Sequence, residues 1–100
     1  MIELYDGAIV HGDLNLSYLP IYTLPDNLTI HGSLYLGCTN VSLLPNNLVV
    51  YGDLDISNTR IAELPDSLTV FGSIRYVNTS LTEGDIINLG GTLTIFANYP

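Results

Sequence analysis

The sequence predicts a mainly β protein, a short parallel β-solenoid of about four coils with terminal caps. Three observations support this prediction. A motif of Leu, Pro, two small polar residues and Leu recurs every twenty residues, short alternating apolar runs follow each copy, and a glycine occupies one fixed position of every unit. A fixed period of this size is typical of architectures in which each unit stacks on the next.

Each unit contains two stretches that alternate between apolar and polar residues. In one unit these are Leu28–His31 and Ser33–Leu36, separated by Gly32. Alternation over a few residues predicts short strands, so stacked coils would form two parallel sheets around one apolar core. The predicted inward columns are Leu14, Leu34, Leu54, Ile74; Leu16, Leu36, Ile56, Tyr76; Ile21, Val41, Ile61, Leu81; and Leu24, Leu44, Leu64.

Three further columns predict how the coils turn. Glycine repeated at one position indicates a corner with positive φ or a close approach of neighbouring coils. Proline cannot donate to a ladder and is therefore expected at corners. A threonine column is expected to stack and to form hydrogen bonds between coils. The columns are Gly12, Gly32, Gly52, Gly72; Pro25, Pro45, Pro65; and Thr39, Thr59, Thr79.

The ends depart from the repeat, as the caps of a solenoid do. We expect one domain over residues 1–100, with a half-coil cap at 1–8, repeats at 9–83 and a C-terminal cap at 84–100. An irregular or helical turn is predicted within Thr82–Leu89. A last strand is predicted at Gly91–Ile95, with Phe96 and Tyr99 folding over the open end of the core.

The stretch Leu54–Pro65 resembles a leucine-rich repeat of the variety that ends in Leu-Pro and carries Thr where many repeats carry Asn. The twenty-residue unit is similar to repeat proteins of bacteria and their phages, and the likeness extends over residues 9 to about 83. Three additional residues follow the post-proline Leu, which favours a straighter two-sheet solenoid over a horseshoe. The resemblance implies binding through the face of the Leu-x-Leu strand and implies no particular partner.

The charge balance excludes several classes of function. The chain has ten acidic residues and only two basic ones, Arg60 and Arg75, so its formal net charge is −8. Nucleic acids and anionic membranes are bound by basic residues, so neither is an expected direct ligand. The charge fits either solubility alone or a protein partner with a basic surface. No apolar run is long enough for a membrane span, the acidic start predicts no signal peptide, and the single Cys38 fits a reducing compartment. We therefore expect a cytoplasmic protein.

No constellation in the sequence predicts catalysis, a cofactor or a metal site. Cys38 follows the second strand of its coil, whereas His31 lies on the other side of Gly32, and no third group is placed to orient them. Asp53 and Asp55 share a coil, but Asp13 is two coils away, roughly 9–10 Å at the spacing of strands. We expect a protein that is not an enzyme.

The outward columns are the remaining candidates for function. One column of rings, His11, His31, Tyr51 and Phe71, either stabilises the ladder or forms an interface, because aromatic residues beside acids and amides are typical of binding hot spots. The candidate partner-binding residues are Asp13, Asn15, His31, Tyr35, Tyr51, Asp53, Asp55, Glu63, Phe71 and Arg75.

Two functions follow as expectations. The first is a small acidic stoichiometric inhibitor of a nucleic-acid-binding protein complex, a phage anti-defence or anti-CRISPR-like role in the host cytoplasm. Mimicry of a whole DNA groove is disfavoured because residues 29–48 carry no charge, although a patch around Asp53, Asp55 and Glu63 could block a basic pocket. The alternative is a structural or adhesive module that self-associates, for example as a homodimer through a sheet edge.

Overall fold

The computed structural model describes residues 4–87 of the chain, which form eight short strands and one short helix. The predicted mainly β parallel solenoid is confirmed. The strands are β1 (Ile9–His11), β2 (Leu14–Asn15), β3 (Thr29–His31), β4 (Leu34–Tyr35), β5 (Val49–Val50), β6 (Leu54–Asp55), β7 (Thr69–Val70) and β8 (Ile74–Arg75), followed by α1 (Glu83–Ile87).

The strands form two parallel four-stranded sheets. The first sheet has the order β1-β3-β5-β7 and the second has the order β2-β4-β6-β8. Val10 pairs with Ile30 and Leu14 pairs with Leu34, and the same offset of twenty residues holds for every later pair. Because this offset equals the sequence period, equivalent side chains of successive coils form straight columns about 4.8 Å apart.

The apolar columns fill the space between the two sheets as the alternation predicts. Ile30, Val50 and Val70 line the core from the first sheet, and the column of Leu34 lines it from the second. The third predicted column is buried at Val41, Ile61 and Leu81. In the Leu24 column only the central member is buried, and its two neighbours are half-buried.

The corner glycines are required by close stacking, the second of the two predicted reasons. A Cβ on Gly52 would lie 2.8 Å from the carbonyl carbon of Gly32 and 2.6 Å from the Ser33 hydroxyl oxygen. Of this column only Gly12 has a positive φ, at 122°, and a Cβ there meets nothing within 4 Å. Neighbouring coils therefore pack backbone against backbone at this corner.

Positive φ occurs instead at two other columns, which the sequence analysis did not single out. Tyr18, Cys38, Asn58 and Asn78 have φ between 57° and 66° at the turn after the second sheet. Asn27 and Asn47 have φ of 60° and 58° at the turn before the first sheet. Asn tolerates this region because its short amide can form local hydrogen bonds.

The same asparagines also connect coils through their side chains. The Asn78 amide nitrogen donates to the amide oxygen of Asn58 at 2.8 Å, and Asn47 donates to Asn27 at 2.9 Å. A side-chain amide is both donor and acceptor, so each asparagine can bond the coil before it and the coil after it. These ladders run parallel to the solenoid axis on the surface.

The prediction that the threonine column forms hydrogen bonds between coils is wrong. Thr39 donates to the carbonyl of Leu36 at 2.8 Å and Thr59 donates to the carbonyl of Ile56 at 2.6 Å, each within its own coil. The chain turns after the second sheet, so the carbonyls of Leu36 and Ile56 lie just past the ends of β4 and β6. The threonine hydroxyl three residues after each carbonyl supplies its hydrogen bond. Across the described residues, no buried side-chain polar atom lacks a partner.

The described residues of the N-terminal half-coil, 4–8, stack on the first complete coil. Gly7 N donates to the Asp26 carbonyl at 3.1 Å, and the Asn27 side chain donates to Asp6 at 2.8 Å. Ala8 is buried at the position that Leu occupies in later coils.

At the other end the predicted helical turn is present as α1. The Thr82 hydroxyl and the Asp85 carboxylate bond each other's backbone N–H groups, an N-terminal capping arrangement. The predicted strand at Gly91–Ile95 and the positions of Phe96 and Tyr99 lie outside the described residues. No helix within residues 4–87 has the length and apolar character needed to cross a membrane.

Candidate protein-binding surface

Four side chains on the outer face of the first sheet form a continuous stack, which we call the aromatic ladder: His11, His31, Tyr51 and Phe71. Successive ring centroids lie 5.6, 4.6 and 5.0 Å apart, and the interplanar angles are 7°, 7° and 15°. His11 pairs with His31 in register, and Tyr51 and Phe71 directly follow β5 and β7 at the same offset of twenty residues. Because the rings stack face to face, the faces between them are covered and ring edges line the outside of the ladder. Tyr51 and Phe71 are 49% and 51% exposed.

An acidic and hydroxyl column lies two residues further along each coil, at the corner between the sheets. Asp13 Oδ1 accepts a hydrogen bond from Ser33 N at 2.7 Å, and Asp53 Oδ1 accepts one from Ser73 N at 2.9 Å. Between them, the Ser33 hydroxyl accepts from Asp53 N at 2.9 Å. Asp13 and Asp53 therefore hold neighbouring coils together through one oxygen, and both side chains remain exposed beside the aromatic ladder.

The second sheet brings four other candidates into one outward column. Tyr35 pairs with Asn15 on one side and with Asp55 on the other, and Asp55 pairs with Arg75. Asn15 and Asp55 each accept a hydrogen bond from the backbone N–H two residues later, at 3.0 and 2.9 Å. Tyr35 and Asp55 are half-buried, whereas Asn15 and Arg75 are exposed.

The structure thus collects the candidate residues into two neighbouring strips and leaves one apart. His31, Tyr51 and Phe71 lie with Asp13 and Asp53 on the first sheet and its corner. The second strip is the column on the second sheet. Glu63 is exposed on the connection that returns from β6 to β7, separate from both strips.

An apolar surface at the N-terminal end was not anticipated. Large side chains are exposed there at Tyr5, Ile9, Tyr18, Leu19 and Tyr22. A cavity of about 620 Å³ is lined by Leu19 of this set, together with Leu4, Leu14, Leu16, Ile21 and Leu24. The sequence could have indicated this exposure, because the inward columns of the first coil have only a half-coil before them to cover them.

Cys38 and the histidines occupy different parts of the coil. Cys38 is exposed in the turn after β4, where a side-chain hydrogen bond to this thiol raises the pKa of Tyr18 above its ordinary value. Both histidines are in the aromatic ladder on the first sheet. Within residues 4–87, no group of three or more His, Cys, Asp or Glu side chains is arranged to hold a metal ion.

Comparison of the chain with family models, with curated proteins and with solved structures finds no match in any of the three. The geometry of the two strips is therefore the basis on which a function can be argued.

Proposed function

We propose that the chain is a non-enzymatic protein-binding module, a small acidic stoichiometric inhibitor of a nucleic-acid-binding protein complex. The observation that carries the proposal is the aromatic ladder with the carboxylates of Asp13 and Asp53 beside it. Aromatic side chains supply large contact areas at low cost in conformational entropy, and acidic neighbours favour a basic partner.

Rigidity of the surface supports a binding role. The backbone of each coil is hydrogen-bonded to the next, and side-chain bonds such as the one that Ser73 N donates to Asp53 fix the corner as well. A surface that is already ordered loses little freedom when a partner binds, which favours affinity.

The distribution of charge limits what the inhibitor would imitate. Residues 29–48 carry no charge, so a continuous track like that of DNA phosphates is interrupted. Asp53 and Asp55 lie on consecutive strips of one coil, a local acidic patch that suits a basic pocket rather than a whole DNA channel. The chain itself is expected to bind neither nucleic acid nor membrane.

The likeness to leucine-rich repeats suggests in which organisms the inhibitor would act. If the chain belongs with the repeat proteins of bacteria and phages that it resembles, an anti-defence role of the anti-CRISPR kind in the host cytoplasm is the specific form of the proposal. The anti-defence role is supported by this resemblance together with the acidity and the shape of the surface.

Affinity capture from bacterial lysate tests the proposal. The wild-type chain is compared with Tyr35→Ala/Asp55→Asn and with Tyr51→Ala, and each variant is checked for wild-type circular dichroism. Asn at position 55 keeps the oxygen that accepts the Ser57 N–H, so the substitution removes charge while preserving the turn. We expect one nucleic-acid-binding protein at one equivalent, its binding weakened by both variants and by added salt.

The matched control is Tyr22→Ala, because Tyr22 is 68% exposed on the connection and belongs to neither strip. This variant should capture the partner as well as the wild type does. Capture that is unchanged in both variants would contradict the proposed surface, and a captured protein without affinity for nucleic acid would contradict the proposed target.

Self-association is a second candidate function, favoured by the apolar N-terminal end. β1 and β2 are edge strands of their sheets, Ile9 is exposed on β1, and exposed Leu19 lines the cavity. Exposed strand edges pair readily with other chains. Ile9→Asp/Leu19→Asp should convert a dimer to a monomer in light-scattering measurements, whereas a wild-type chain that is monomeric at high concentration would eliminate this candidate.

A further inference from the structure

We propose that the outer face of the first sheet binds an elongated, planar, aromatic cation, which lies along the solenoid axis against the aromatic ladder. The inference is independent of the proposed inhibitor role, because the ligand is a small molecule and its binding is measured without a protein partner.

The geometry of the rings suits a flat ligand. Four parallel rings lie in one row with centroid spacings between 4.6 and 5.6 Å, and their edges point outward. A flat aromatic ligand laid on this row meets each ring edge with its own face. Edge-to-face contact is a preferred arrangement of aromatic pairs, and its centroid separations of about 4.5–7 Å are compatible with such a row.

A column of β-branched side chains lies next to the rings on the same face of the first sheet. Ile9, Thr29, Val49 and Thr69 lie two residues before the rings and pair in register along the sheet. These β-branched side chains are stiff and shorter than the rings, so we expect the ladder to project further from the sheet than this column does. A long rigid ligand can contact several coils there without any rearrangement of the protein.

Charge decides which planar ligand fits. Asp13 and Asp53 are exposed on the other side of the ladder, and each carboxylate uses one oxygen for the coil-to-coil bond. The segments 9–13, 29–33, 49–53 and 69–73 contain no Lys or Arg, and the chain has a formal net charge of −8. This face therefore attracts a cation and disfavours an anionic aromatic ligand.

Fluorescence titration with thioflavin T, an elongated planar cation whose emission rises when it is immobilised, tests the inference on the full chain. Size-exclusion chromatography confirms that the titrated species is not aggregated. We expect saturable binding, weakened about tenfold or more by Tyr51→Ala, which removes a central ring, and changed by less than about threefold by Tyr51→Phe. Tyr22→Ala, which removes an exposed ring away from the ladder, should bind as the wild type does.

Charge is tested with Asp53→Asn, which keeps an oxygen for Ser73 N–H. We expect binding about two- to fivefold weaker at low salt and a smaller difference at high salt. If Tyr51→Ala does not fold, Phe71→Leu removes another ring while keeping apolar bulk, and binding should again fall several-fold.

Several results would overturn the inference. They are absence of saturable binding, unchanged affinity in folded Tyr51→Ala or Phe71→Leu, and an equal loss in Tyr22→Ala. Wild-type affinity in Asp53→Asn at low salt would remove the argument for a cation.

Discussion

Gly52→Ala adds a methyl group at a corner where the neighbouring coil leaves no room for it. The new Cβ would lie 2.8 and 2.9 Å from the carbonyl carbon and oxygen of Gly32, and 2.6 Å from the Ser33 hydroxyl. The backbone atoms cannot withdraw without stretching the hydrogen bond from Gly52 N to Gly32 O, which is 2.8 Å long. The Ser33 hydroxyl is also held, since it accepts from Asp53 N.

The expected cost follows from these contacts. Overpacking in a well-packed region costs about 1–3 kcal/mol, and replacing glycine returns about 0.4–1 kcal/mol by restricting the unfolded chain. Because two of the three clashes involve backbone, we expect a net loss of about 2 kcal/mol in the free energy of unfolding. For a domain of this size, this corresponds to a fall of roughly 8–16 °C in the melting temperature. Urea unfolding followed by circular dichroism, together with calorimetry, measures both quantities.

Gly37→Ala is the matched control in the same protein. Its Cβ would lie 3.5 Å from the Ser57 carbonyl oxygen, an ordinary contact, and Gly37 is not among the positive-φ glycines. This variant should be unchanged or more stable by up to about 1 kcal/mol. If Gly52→Ala were as stable as Gly37→Ala, the close approach of coils at the glycine corner would be refuted.

Three further predictions concern the turns and the C-terminal cap. Cys38→Asn should stabilise the fold by about 0.5–1 kcal/mol, because Asn tolerates the φ of 59° at this position. Cys38→Val should destabilise it, because a β-branched residue is strained at positive φ, and thermal unfolding measures both changes. Thr59→Val should lower the free energy of unfolding by about 1–3 kcal/mol, because it leaves the buried Ile56 carbonyl without its donor. Thr59→Ser keeps the hydroxyl and should cost less. Equal midpoints of urea unfolding for the two variants would contradict this role of the hydroxyl. Burial first and the charge of Glu83 second raise the pKa of Tyr76 above its ordinary value of 10.0. A tyrosine whose pKa rises on folding contributes stability that is fully present below its unfolded pKa, and this contribution is lost as pH rises through its folded pKa. The free energy of unfolding should therefore fall above about pH 10, and it should fall less steeply in Tyr76→Phe.

The architecture was predictable because its period and its side-chain alternation are both written in the sequence. An offset of twenty residues fixes the register of every strand pair, and alternation assigns Leu34 to the core and Tyr35 to the surface. The ends were less predictable. They lack a neighbour on one side, so Leu19 is exposed where the equivalent Thr39 and Thr59 of later coils are buried.

The turns were the least predictable part. Glycine at the corner allowed two explanations, and only the distance from a Cβ to the next backbone separates close stacking from positive φ. Asn58 and Asn78 carried a usable signal, since Asn repeated at a turn favours left-handed φ. Cys38 and Tyr18 in the same column obscured that signal.

The candidate surface was predictable as a set of columns but not as a set of contacts. Registration alone implied that His31, Tyr51 and Phe71 stack. The hydrogen bonds that Asp13 and Asp53 accept from the following coil depend on corner geometry, which a sequence pattern does not contain. These bonds mean that Asn, rather than Ala, is the informative replacement at both acidic positions.

The most direct test of the proposed inhibition is a displacement titration with the protein captured by this chain. The captured protein is purified, loaded with fluorescently labelled nucleic acid and titrated with wild-type chain, while anisotropy reports how much nucleic acid remains bound. The proposal predicts complete release at about one equivalent when the chain binds tightly, and weaker displacement by Tyr35→Ala/Asp55→Asn. Nucleic acid that stays bound while the chain binds would contradict it.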